Sequence, residues 1–105
     1  MTKTIRFHLV LAAAIALTSS AGFAQSAGEA TYKAKCASCH GATGTPSAGM
    51  AKAMGIKAAS DPDMKKLTVA DISTVIKSGK GKMKPVAGLT DAQVKDVAAF
   101  YKGLK

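Results

Sequence analysis

Five consecutive residues, Cys36-Ala37-Ser38-Cys39-His40, place two thiols three positions apart with an imidazole directly after the second. Three chemistries use such a thiol pair: a dithiol redox site, half of a zinc site, or covalent attachment of haem c. A closed zinc site needs four ligands, and beyond this cluster the only other Cys or His in the chain is His8, near the N-terminus. A thioredoxin-like site needs a βαβ setting, and no run of alternating β-branched residues offers one. A plain disulfide would suit an exported chain but would add no apolar mass to a thin core. The histidine next to the second cysteine favours haem c: the two sulfurs reach vinyl groups on neighbouring pyrroles, and the imidazole turns under the ring to ligate iron.

One histidine leaves the sixth iron position open, and its occupant separates electron transfer from ligand chemistry. After residue 24 the chain holds no other histidine and four methionines, Met50, Met54, Met64 and Met83. Met50 and Met54 are four apart in an alanine-rich stretch, the spacing of core packing on a helix. Met64 follows Asp61-Pro62, in a short turn beside Lys65 and Lys66. Met83 differs, because it sits in Gly79-Lys80-Gly81-Lys82-Met83-Lys84-Pro85 with no regular element to give it apolar neighbours. Glycines let that backbone approach a ring closely, and proline stiffens the loop. Met83 is therefore the expected sixth ligand, with His40 the fifth.

The elements that must position these groups read as helices. Ser26 and Glu29 have the form of a capping box opening a helix that runs through Tyr32 into the cysteine cluster. A loop with Gly41, Gly44 and Pro46 follows, then a short helix within 47–58 that Gly55 weakens. Asp61-Pro62 reads as an N-cap with proline at the first helical position. Thr68 with Asp71 predicts a second capping box, with Val69, Ile72 and Ile76 at helical spacing and an end at Gly79. Thr90 with Gln93 opens the last helix, whose Val94, Val97, Phe100 or Tyr101, and Leu104 share a face. No segment reads as a strand.

Composition explains why such a chain needs a cofactor. The 105 residues allow one domain, and the 48% hydrophobic fraction is largely alanine or lies near the N-terminus. There Lys3 and Arg6 precede an apolar run from Leu9 to Leu17, then Thr18, Ser19 and Ser20, with small residues at Gly22 and Ala24. That order predicts a secretory signal peptide over 1–24, too short in its apolar run to span a membrane that needs about 20 residues of helix. The domain is then 25–105, with 13 lysines against six acids, a charge of +7, and only Tyr32, Phe100 and Tyr101 as aromatics. Domains of this size need a staple. A buried porphyrin removes on the order of several hundred Å² of apolar surface from water, worth on the order of ten kcal/mol.

The attachment motif near the N-terminus, the glycine-rich loop with Met83, and the final helix from Thr90 to Tyr101 together resemble the class I monohaem cytochromes c of the small bacterial type, over nearly the whole chain after residue 24. The resemblance implies an all-α fold of three to five short helices wrapped around one covalently bound haem c. It implies attachment through Cys36 and Cys39, with iron held by His40 and Met83. It also implies that Gly28 and Tyr32 cross Val97 and Phe100, and that a loop carbonyl, that of Pro46, accepts the Nδ1 hydrogen of His40. Lys84 departs from the family's common pattern, in which methionine and proline are adjacent.

The expected function is a soluble, periplasmic, monomeric electron carrier and not an enzyme, since no distal acid or base is evident. Its expected partners are redox proteins with acidic docking surfaces, met by lysines at positions 77, 80, 82 and 84. Contact with a membrane would be peripheral at most. Nucleic acid is excluded by export, by the lack of arginine after residue 24 and by the lack of interleaved aromatics. Two alternatives remain at this level: an open-site haem protein acting as a peroxidase-like enzyme or gas sensor, and an electron-entry subunit of a larger complex.

Overall fold

Capping chemistry sets the helix boundaries in the computed structural model, which describes residues 27–104. The expected signal peptide over 1–24 and the Ser26 end of the first capping box lie outside the described residues. Residues 27–35 are helical (α1), a turn interrupts at Cys36, and the helix resumes as α2 (Ala37–His40). Cys36 N–H donates to the Tyr32 carbonyl at 2.9 Å and His40 N–H to the Cys36 carbonyl at 3.0 Å, so the hydrogen-bond ladder passes through the break. This split divides the first expected helix in two, so that the described residues hold six helical segments where three to five were expected.

Helix α3 (Ala48–Met54) is capped by the Ser47 side chain and ends at Gly55, whose φ of +67° is left-handed and stops the helix short of residue 58. Helix α4 (Pro62–Lys65) begins as expected, with Asp61 accepting from Asp63 N–H at 2.9 Å and Pro62 in the first turn. Helix α5 (Val69–Ser78) carries the complete Thr68/Asp71 capping box and α6 (Asp91–Lys102) the complete Thr90/Gln93 box. Each box satisfies two backbone donors that would otherwise lack partners. Among the described residues no strand forms, and the one extended pairing outside the helices is an isolated bridge between Lys80 and Met83.

Helices α5 and α6 pack together, and α1 crosses α6. Ile72 and Ile76 of α5 meet Val94, Val97 and Ala98 of α6, with Tyr32 of α1 closing the cluster. Tyr32 is 1% exposed, Val97 1% and Ala98 0%. The crossing falls where it was expected, for the Tyr32 and Phe100 ring centroids lie 5.3 Å apart. A Cβ on Gly28 would fall on the Asp96 carbonyl group and 3.0 Å from Phe100 Cβ, so only glycine allows the helices this close. The protein core is small, and Ile56, Leu67, Val75 and Val86 border a large space beside it. Among the described residues no helix is long and apolar enough to cross a membrane.

Candidate functional site

That space is a cavity of about 750 Å³, within the range of cofactor and small-molecule sites, about 300–1,000 Å³. Cys36, Cys39 and His40 line it from the α1–α2 side, and Met83 lines it from the loop after α5. Residues far apart in the chain thus converge on one space. Its apolar walls include Leu67, Ile72 and Ile76, with Val97 and Tyr101 contributed by α6. Both cysteines are free thiols and half-buried. Burial pushes the Cys36 thiol up from its ordinary pKa, with Cys39 beside it adding to the shift, so it rests as the neutral thiol.

His40 is held edge-on against Tyr101, with ring centroids 5.6 Å apart and the planes at 70°. Burial lowers its pKa and favours the neutral imidazole, the form a metal ligand must take. Its Nδ1 is buried and has no hydrogen-bond partner. The expected bond from Nδ1 to the Pro46 carbonyl is therefore not formed. With Nδ1 sealed in the protein, Nε2 is the nitrogen able to serve an iron in the cavity.

Met83 is positioned by its loop. Lys80 and Met83 exchange two backbone hydrogen bonds, each 3.0 Å, and Val86 N–H donates to the Ile76 carbonyl at 2.9 Å, tying the loop back onto α5. Gly79 opens the turn at φ +76°, and a Cβ there would lie 2.7 Å from the Met83 carbonyl oxygen and 2.9 Å from Pro85 Cδ. Met54 and Met64 line the cavity as well. Met54, whose spacing reads as core packing, thus borders the cofactor space instead, and Met64 borders it while staying partly exposed. Met83 alone of the three packs against the central cluster, so its sulfur is carried by a braced segment. Met50 does not line the cavity.

Comparison with known proteins shows the family. Residues 23–100 match the family described as "Cytochrome C oxidase, cbb3-type, subunit III". The chain is also 35% identical to cytochrome c-555 of Chlorobaculum tepidum, over 98% of this chain and 97% of that protein. The chain is a class I monohaem c-type cytochrome. No solved structure matches it.

As a member of this family the cytochrome carries a covalently bound haem c with its iron and acts in electron transfer. The cavity fits that group: it is large enough, mostly apolar, edged by two free thiols, and presents a neutral imidazole whose other nitrogen is sealed in the protein. Among the described residues no three His, Cys, Asp or Glu side chains gather as a metal site of their own. Haem therefore accounts for the histidine better than a protein-only zinc site does.

The lysines around the cavity differ in their partners. Lys35, Lys80 and Lys84 are exposed and line it. Lys57 pairs with Asp63 at 2.6 Å, and Lys82 donates to the Ala53 carbonyl at 2.8 Å. Lys77 turns away to Asp91 at 2.7 Å and does not line the cavity, so the expected cluster at 77, 80, 82 and 84 loses one member and gains Lys35. Sequence reasoning also left Phe100 and Tyr101 interchangeable. The structure separates them: only Tyr101 lines the cavity, with its hydroxyl buried and unpartnered.

Proposed function

We propose that the cytochrome is an exported, periplasmic carrier of single electrons whose haem is attached through Cys36 and Cys39 and ligated by His40 and Met83. One observation carries this reading: His40 and Met83, 43 positions apart in the chain, meet at the same cavity as the two thiols. Haem, when bound, supplies a one-electron ferric/ferrous couple. The protein supplies the rest. Cys36 and Cys39 would fix the ring, His40 would present Nε2, and the braced loop would present the Met83 sulfur, a set of held protein ligands that would keep reorganisation on electron transfer small. A thioether is a soft ligand that favours ferrous iron, which raises the potential relative to two-histidine ligation.

Lys35, Lys80 and Lys84 edge the cavity with exposed positive charge, which would guide an acidic redox partner to the haem. Residues 1–24 would direct export and be removed, leaving a monomer of residues 25–105. The relative that spans 97% of its own length with this chain is named as a cytochrome alone, which favours a free carrier. The matched family's description names an oxidase subunit, which favours a bound one. Intact mass and gel filtration of the protein from the periplasm test the reading. A mass for residues 25–105 plus one haem, eluting as a monomer and reducible by one electron, is expected. A retained N-terminal segment or co-elution with an oxidase would overturn the free-carrier form.

A further inference from the structure

The loop that carries Met83 is tied to α5 on one side by backbone bonds, from Gly79 N–H to the Val75 carbonyl at 2.7 Å and from Val86 N–H to the Ile76 carbonyl at 2.9 Å. On the other side it faces the end of α3. There Lys82 reaches across 29 positions of sequence and donates its ammonium to the Ala53 carbonyl at 2.8 Å. Among the described residues this is the hydrogen bond that joins the methionine loop to α3. Ala53 lies in the last turn of α3, where carbonyls have no partner within the helix and the helix dipole favours a cation. Among the described residues no other side chain donates to that helix end, which Lys82 thus satisfies. Met54, Gly55 and Lys57 next to that carbonyl line the cavity from one side, as Lys82 and Met83 do from the other.

We infer that Lys82 is a positioning residue for the sixth iron ligand: its bond to Ala53 clasps the Met83 loop over the cavity and slows departure of the sulfur from iron. This rests on the reading of Met83 as ligand. Lys82 acts by holding the residue beside it against a second wall, in addition to the loop's bonds to α5 and its packing on the central cluster. Its charge-assisted bond is exposed, so its effect is modest.

The test is imidazole binding to the ferric holoprotein, followed by absorbance at imidazole concentrations where loss of the methionine limits the rate. Lys82→Ala should bind about three- to fivefold faster than wild type, the effect of one exposed charge-assisted bond. Lys82→Arg, which keeps a donor, should stay near wild type. Lys84→Ala removes the same charge from the same loop without a bond to α3 and should also stay near wild type. Lys82→Ala binding at the wild-type rate, with Met83→Ala much faster than both, overturns the clasp and leaves the ligand reading standing. Equal acceleration in Lys84→Ala overturns it too, by assigning the effect to charge. A wild type that binds as fast as Met83→Ala overturns the ligand reading, and the clasp with it.

Discussion

Replacing Gly28 with alanine should lower the melting temperature of the cytochrome, although alanine is the better helix former by about 1 kcal/mol. The new methyl would lie 2.9 Å from the Asp96 carbonyl carbon and 3.0 Å from Phe100 Cβ, where ordinary contacts begin at 3.4 Å. The obstructing atoms are mostly backbone in the middle of α6, so they cannot rotate aside and the two helices must part. Overpacking costs about 1–3 kcal/mol, and a backbone neighbour places this case near the upper end, so the net loss is about 2 kcal/mol once the gain in helix propensity is subtracted. At about 4–8 °C per kcal/mol for a domain of this size, the melting temperature should fall by about 8–16 °C. The assay is thermal unfolding of the ferric holoprotein by far-ultraviolet circular dichroism. Gly49→Ala is the control, since Gly49 lies in α3 with nothing within 4 Å of its would-be Cβ, and it should melt at or above wild type. A Gly28→Ala protein that melts no lower than wild type would refute the close-crossing argument.

The double variant Cys36→Ser, Cys39→Ser, prepared without haem, should be largely unfolded, because the described core without cofactor is a handful of side chains around Tyr32 and Val97; native-like circular dichroism with a cooperative melt would contradict this. Burial pushes the Tyr32 phenol up to about 12 from an ordinary 10.0. Its contribution to stability is then whole below pH 10 and lost as pH rises toward 12, because the unfolded tyrosine ionises first. Alkaline unfolding followed between pH 9 and 12 should show this loss in wild type and less of it in Tyr32→Phe, which also forfeits the 2.6 Å bond from the hydroxyl to the Gly41 carbonyl. Reduction by an acidic redox protein should slow as ionic strength rises, because exposed lysines at the cavity edge are screened beyond about 10 Å at 0.1 M salt; a salt-independent rate constant would remove the steering role.

Local chemistry made much of the fold legible in advance. Asp61, Thr68 and Thr90 cap the helices their side chains announce and Gly79 ends its helix, because caps and positive-φ residues depend on only a few neighbouring positions, while Gly55, read only as weakening a helix within 47–58, ends it outright. The approach of His40, Met83 and the thiols to one cavity was likewise written in residue type and order. Helical periodicity could not separate Met54 from the core, since a helix wrapped around a cofactor buries one stripe partly on protein and partly on the cofactor space. The same ambiguity joined Phe100 to Tyr101. Contacts that span the chain left no local trace: Lys82 to Ala53, Lys77 to Asp91, and the packing of Tyr101 against the His40 ring.

Absorption spectra of the ferric holoprotein test the central assignment most directly, through the weak long-wavelength band from methionine sulfur to low-spin ferric iron. Wild type should show the band, Met83→Ala should lose it, and Met54→Leu and Met64→Leu should keep it although both side chains line the same cavity. A band that survives in Met83→Ala, or a wild type that is high-spin and binds carbon monoxide readily when reduced, would contradict the carrier with a His40 and Met83 iron.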